Sequence, residues 1–131
     1  MAFLRRPRKN GGRGNEMMQG IVAGLGESGM ENLAAYFSGL SCKSAGDGDK
    51  AAVAAGKTLS ARCSLCHGDN GVSRLATTPS LAGLSREHLQ DALKSYRDGR
   101  RSNAMMARIA KELGDKDLTS LASYYANASC K

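Results

Sequence analysis

The sequence predicts an all-α protein, and three observations carry that reading. Apolar residues recur at three- and four-residue spacing, as in Leu89, Leu93 and Tyr96, or Leu118, Leu121, Ala122 and Tyr125, and no segment shows the alternation of a strand. Helix-start residues stand ahead of the periodic runs: Asp49, Ser85 and Asp115. Finally, residues 15–43 return without a gap as residues 103–131, so one helical unit is written twice.

A first helix is expected over 49–62, capped by Asp49 and rich in the small residues Ala51, Ala52, Ala54, Ala55 and Gly56, which permit close helix packing. Residues 68–84 read as a loop, broken by Gly, Asn, Ser, Thr and Pro79. Ser85 caps the next helix, which Asp98 and Gly99 stop. A short helical stretch follows over 105–113, with Met106, Ile109, Ala110 and Leu113 on one side, ended by Gly114. Asp115 is expected to cap a last helix running to about residue 128. Near the N-terminus, an amphipathic helix is expected around 31–40, with Leu33, Ala34, Tyr36, Phe37 and Leu40 as its stripe.

The repeat divides the chain. About a dozen positions match identically at an offset of 88, among them Met17/Met105, Met18/Met106, Gly26/Gly114, Tyr36/Tyr124 and Cys42/Cys130. The second copy is preceded by a helix and a cysteine motif; the first is not. Residues 45–131 therefore read as one complete domain, and residues 1–44 as the back half of another, too short of partners to form a domain of its own. The chain of 131 residues is 41% apolar but only 5% aromatic, a thin core that a tightly bound apolar cofactor would remedy. Its net charge of +7 favours acidic partners. No run approaches the ~20 apolar residues of a transmembrane helix. The segment MAFLRRPRK is charged like the start of a secretory signal, but a polar, Gly-rich stretch follows it, so no export signal is visible. Without aromatic residues among them, Arg5 to Lys9 read as an altered loop and not as a nucleic-acid site.

Four cysteines fall into two kinds. Cys63 and Cys66 lie in CSLCH, directly before His67. Cys-x-x-Cys-His is the attachment signal for c-type haem. Two thiols three positions apart on a helix share a face and can add to the two vinyl groups of one haem edge, while the adjoining imidazole takes an axial position on iron. A zinc site would need four ligands, and the only other histidine, His88, lies in a helical run. A thioredoxin-like site would want a strand before the motif, where this chain has helix formers. Cys42 and Cys130 stand alone at equivalent repeat positions, and both are expected to remain free thiols.

The segments GDKAAVAAGKTLSARCSLCHGDNG, PSLAGL, YRDGRRSNAMM and LGDKDLTSLASYYA resemble the class I cytochromes c, most of all the two-domain cytochrome c4 type. The resemblance covers 46–131, with residues 1–44 similar to the end of a first domain and its linker. It implies a cytochrome c-like helical domain carrying one covalent haem c. Cys63 and Cys66 match the thioether cysteines, His67 the proximal ligand, and Pro79 the proline whose carbonyl orients that imidazole. Met106 matches the distal sulfur ligand, with Met105 as its rival. Met18 repeats Met106 with no haem motif before it. Tyr96, Arg97, Arg100 and Arg101 are candidates for the haem propionates, or else a solvated basic face; His88 is expected to face solvent.

The function expected is one-electron transfer, not catalysis. Redox partners implied by the resemblance are a terminal oxidase and a quinol–cytochrome c oxidoreductase, in the periplasm, with no nucleic acid and with room for peripheral membrane association. The alternatives are a haem enzyme or gas sensor with a labile methionine ligand, and a truncated fragment that never receives haem.

Overall fold

The computed structural model describes residues 16–130 except Ala45 and Asp47. The expectations for Met1 to Lys9 lie outside the described residues. Among the described residues seven helices follow in order: α1 (Glu16–Ala23), α2 (Glu27–Gly39), α3 (Lys50–Leu59), α4 (Ala61–His67), α5 (Arg86–Arg97), α6 (Ala104–Lys111) and α7 (Asp115–Asn127). No strand occurs among the described residues. None of these helices is long and apolar enough to cross a membrane.

The helix starts have local causes. Asp49 accepts from the N–H groups of Ala51 and Ala52, Ser85 from that of His88, and Asn103 from that of Met106. The last helix corrects one expectation. Gly114, not Asp115, occupies its cap, and Asp117 Oδ2 accepts from the Gly114 N–H at 2.9 Å. Asp115 is the first helical residue and holds Arg97 of α5 instead, at 2.8 Å.

A second correction concerns the first helix, expected unbroken to residue 62. It ends at Leu59, and the cysteine motif sits on a separate helix, α4. Ser60 lies between them and donates its hydroxyl to the Lys57 carbonyl at 2.8 Å. Such a side chain competes for the backbone acceptors and bends a helix.

The core is built on α7. Leu118, Leu121, Ala122, Tyr124, Tyr125 and Ala126 are all buried, and Leu89 of α5 joins them. Along its length α7 is crossed by α3, where Gly56 makes the crossing close: a Cβ there would overlap the Ser120 carbonyl. On its other side α5 packs against both α7 and α6. The repeat-equivalent helix, α2, buries none of its residues, and Leu33, Tyr36, Phe37 and Leu40 are exposed. Among the described residues, neither α1 nor α2 forms a helix–helix contact with α3–α7.

The cysteine expectation is overturned. Cys42 and Cys130 form a disulfide, with Cα atoms 5.8 Å apart. Both sulfurs rest on Gly83, whose φ of +72° and missing side chain make the space; a Cβ there would stand 2.5 Å from each sulfur. The short tails offered no reason for pairing, but the loop between α4 and α5 supplies one, by presenting at Gly83 a bare backbone on which both sulfurs converge.

Candidate haem site

A cleft of about 400 Å³ opens between α4, the following loop, α5, α6 and α7. Its walls include Leu81, Leu89, Leu93, Ile109 and Leu121, so it is largely apolar, and its size is that of small-molecule sites (about 300–1,000 Å³). The residues that the sequence nominated for attachment and ligation all stand in its lining: Cys63, Cys66, His67, Pro79 and Met106.

The α4 helix ends on His67, which is 7% exposed. Gly68 follows at φ +82°, turning the chain sharply away. Twelve residues on, the chain returns, and His67 Nδ1–H donates to the Pro79 carbonyl at 2.7 Å. That bond fixes the ring and its tautomer, leaving the Nε2 lone pair for a metal. Cys63 is half-buried and Cys66 exposed. Burial pushes the Cys63 thiol above its ordinary pKa, against a smaller downward pull from the Tyr125 hydroxyl.

The two methionines differ in surroundings. Met105 is 54% exposed, and its sulfur accepts from Arg108 at 3.4 Å. Met106 is half-buried, with its backbone N–H held by Asn103 Oδ1 at 3.0 Å. Asn103 caps α6 in this way, a role not singled out from the sequence, although an Asn three residues before a helical Met is a readable cap signal.

The basic cluster separates into two groups. Tyr96 and Arg101 line the cleft, with the guanidinium 5.7 Å from the ring centre. Arg97 instead bonds Asp115 and the Leu113 carbonyl, and Arg100 pairs with Asp98. His88 is exposed and stands at the cleft wall. Across the cleft, Arg62 beside the attachment motif pairs with Glu112 at the end of α6.

The donor set fits haem c. Two thiols, an imidazole with one nitrogen already committed, and a thioether sulfur line one apolar cleft, and the thiols and imidazole stand in the Cys-x-x-Cys-His spacing of haem attachment. The class so defined is a small helical protein with covalently attached haem. The family model described as cytochrome c oxidase, cbb3-type, subunit III, matches residues 50–124, and the chain belongs to the cytochrome c family. Membership implies covalent haem c. Among its relatives, cytochrome c-554(548) of Halomonas halodenitrificans is 36% identical, over 57% of this chain and 94% of that protein. The thiosulfate dehydrogenase electron acceptor of Stutzerimonas stutzeri is 31% identical over 94% of this chain, which spans only 63% of that longer protein. The structure of reduced cytochrome c4 from Pseudomonas stutzeri superposes with a TM-score of 0.80 at 30% identity, covering 93% of this chain and 70% of that one.

Proposed function

We propose that this chain is a one-electron carrier holding a single haem c, attached through Cys63 and Cys66, with His67 and Met106 as the axial ligands. The observation that carries the reading is the buried His67, pinned through Nδ1 to the Pro79 carbonyl at the floor of the apolar cleft that also holds both thiols and Met106. Bound haem c supplies a one-electron ferric–ferrous couple, and Met/His ligation raises its potential relative to harder ligands.

The protein's own residues set the conditions for that couple. Pro79 keeps the imidazole in one tautomer and one orientation, which limits rearrangement when charge changes. The apolar walls disfavour the more highly charged ferric state. With His67 and Met106 both holding the iron, no position would be left for substrate, which favours a carrier over a haem enzyme or gas sensor. Basic charge on the surface steers encounters with acidic patches. Tyr96 and Arg101 are assigned to the propionates, because Arg97 and Arg100 are committed to Asp115 and Asp98.

The haem-binding domain lies in residues 45–131, and residues 1–44 repeat the sequence of its back half without an attachment motif. The protein works in the periplasm, where its attachment chemistry and disulfide are both at home. On the donor side, the relationship to thiosulfate dehydrogenase electron acceptors supports a dehydrogenase of reduced sulfur compounds. On the acceptor side stands a terminal oxidase. The intact mass of protein matured in an export-competent host tests the reading: one haem per chain is expected, and bound zinc without haem, or two haems, would overturn it.

A further inference from the structure

Among the described residues, a single buried side-chain polar atom lacks a hydrogen-bond partner, the hydroxyl of Tyr125. Its ring is 3% exposed and is held rigidly: it packs on Tyr124 with centroids 5.0 Å apart, and it lies over Gly71, where a Cβ would meet Cδ1 at 2.6 Å. Tyr125 lines the same cleft as Cys63, Cys66 and His67. Cys63 packs against the buried cluster that holds Tyr125, and its thiol and the Ser60 hydroxyl are among the polar groups nearest the phenol. A phenylalanine would fill this volume without burying an unpaired donor, so the hydroxyl calls for an acceptor.

The two neighbours answer that call differently. Ser60 already donates to the Lys57 carbonyl, and nothing about it changes on attachment. Cys63 does change. Its S–H adds across a vinyl C=C: the S–C bond forms, the proton goes to the other vinyl carbon, and nothing is oxidised or reduced. The sulfur then keeps its lone pairs and has no hydrogen, so it can only accept.

We propose that Tyr125 is a positioning residue that tunes the reduction potential, its buried phenol donating a hydrogen bond to the Cys63 sulfur once that sulfur is a thioether. The inference rests on haem attachment at Cys63. A donor on this sulfur draws electron density away from the ring edge, which favours the reduced state and raises the potential.

The test is Tyr125→Phe in the haem-loaded protein, which removes one oxygen and keeps the ring. Haem content, read by intact mass and pyridine haemochrome, is expected to be unchanged. The midpoint potential is expected to fall, and the C–S region of the resonance Raman spectrum to shift. In a Cys63→Ala background, with haem held by Cys66 alone, the same substitution should leave the potential where it is. In a Ser60→Ala background the fall should persist, which keeps the question decidable if the Cys63 variant accumulates poorly. Absence of haem on the Cys63 peptide would sink the attachment reading itself. Haem present at Cys63 with potential and Raman spectrum unmoved would overturn the role of Tyr125 alone. So would a fall that survives Cys63→Ala or vanishes with Ser60→Ala, since the acceptor would then be Ser60.

Discussion

Met105 and Met106 are neighbours in sequence, and the difference between them is what each sulfur touches. The Met105 sulfur already accepts from Arg108 on an exposed surface, whereas Met106 is half-buried on a backbone fixed by Asn103. Met106→Ala is therefore expected to abolish the weak near-infrared charge-transfer absorption of thioether–ferric ligation and to open the iron to added ligands. Met105→Ala should preserve that band, and the reverse outcome would exchange their roles. At this scale the sequence was most informative where chemistry is local: CSLCH declares two thiols and an imidazole within five residues. The contact between His67 and Pro79 spans twelve residues, and only the family resemblance suggested it. Asp115 shows the limit. As an acid at a helix start it reads as a cap, but its carboxylate is taken by Arg97 from another helix, and single-chain patterning carries no information about that partner.

The helices are fixed against one another by a few positions that can be tested singly. Gly56 is where α3 meets α7, and Gly56→Ala would drive a methyl group into the Ser120 carbonyl. Overpacking at such a crossing costs about 1–3 kcal/mol, to be read as a lower midpoint in denaturant unfolding of the haem-loaded protein. An unchanged midpoint would mean that the crossing is looser than drawn. The row of small residues announced this crossing in the sequence; the break at Ser60 escaped it, because a serine hydroxyl facing the Lys57 carbonyl is indistinguishable in sequence from one facing solvent. The Arg97–Asp115 pair, which ties α5 to α7, has a pH signature. The guanidinium holds the Asp115 carboxyl below the ordinary aspartate range. Because the folded pKa is depressed, the contribution is complete above the unfolded value of ~3.9 and is lost as pH falls through the folded value. Asp115→Asn should thus lower the thermal midpoint slightly near neutral pH, less at high salt, and make no difference in strong acid. An equal deficit at every pH would show that the substitution acts through packing.

On the scale of the whole molecule, the chain carries the same helix twice in opposite circumstances. Tyr124 and Tyr125 are buried on α7, while their counterparts Tyr36 and Phe37 are exposed on α2. Nothing comparable to α3 and α5 covers α2 among the described residues. Chymotrypsin acting on the native protein is expected to cut at Tyr36 or Phe37 well before Tyr124 or Tyr125; equal protection would show that α2 is covered in solution, as by a second copy. The disulfide acts on the other part of the chain. Its loop begins at Cys42 and ends at Cys130, with a separation of 88, so it encloses α3–α7, the helical domain around the cleft, and leaves α1 and α2 outside. Two cysteines at matching repeat positions were visible in the sequence, but their meeting on Gly83 depends on the folded course of the α4–α5 loop. A loop of that length gives a chain-entropy gain of up to ~4–5 kcal/mol, and removing such bonds typically costs about 2–4 kcal/mol. Cys42→Ser should lower the unfolding free energy of the haem-loaded protein by that amount. Cys130→Ser should do the same, and the double variant should lose no more than either single one, because all three lack one and the same bond. Reductant should bring the wild type down to their level and leave the variants unmoved. A wild type indifferent to reductant, with variants of unchanged stability, would mean that the two sulfurs do not hold the ends of this domain together.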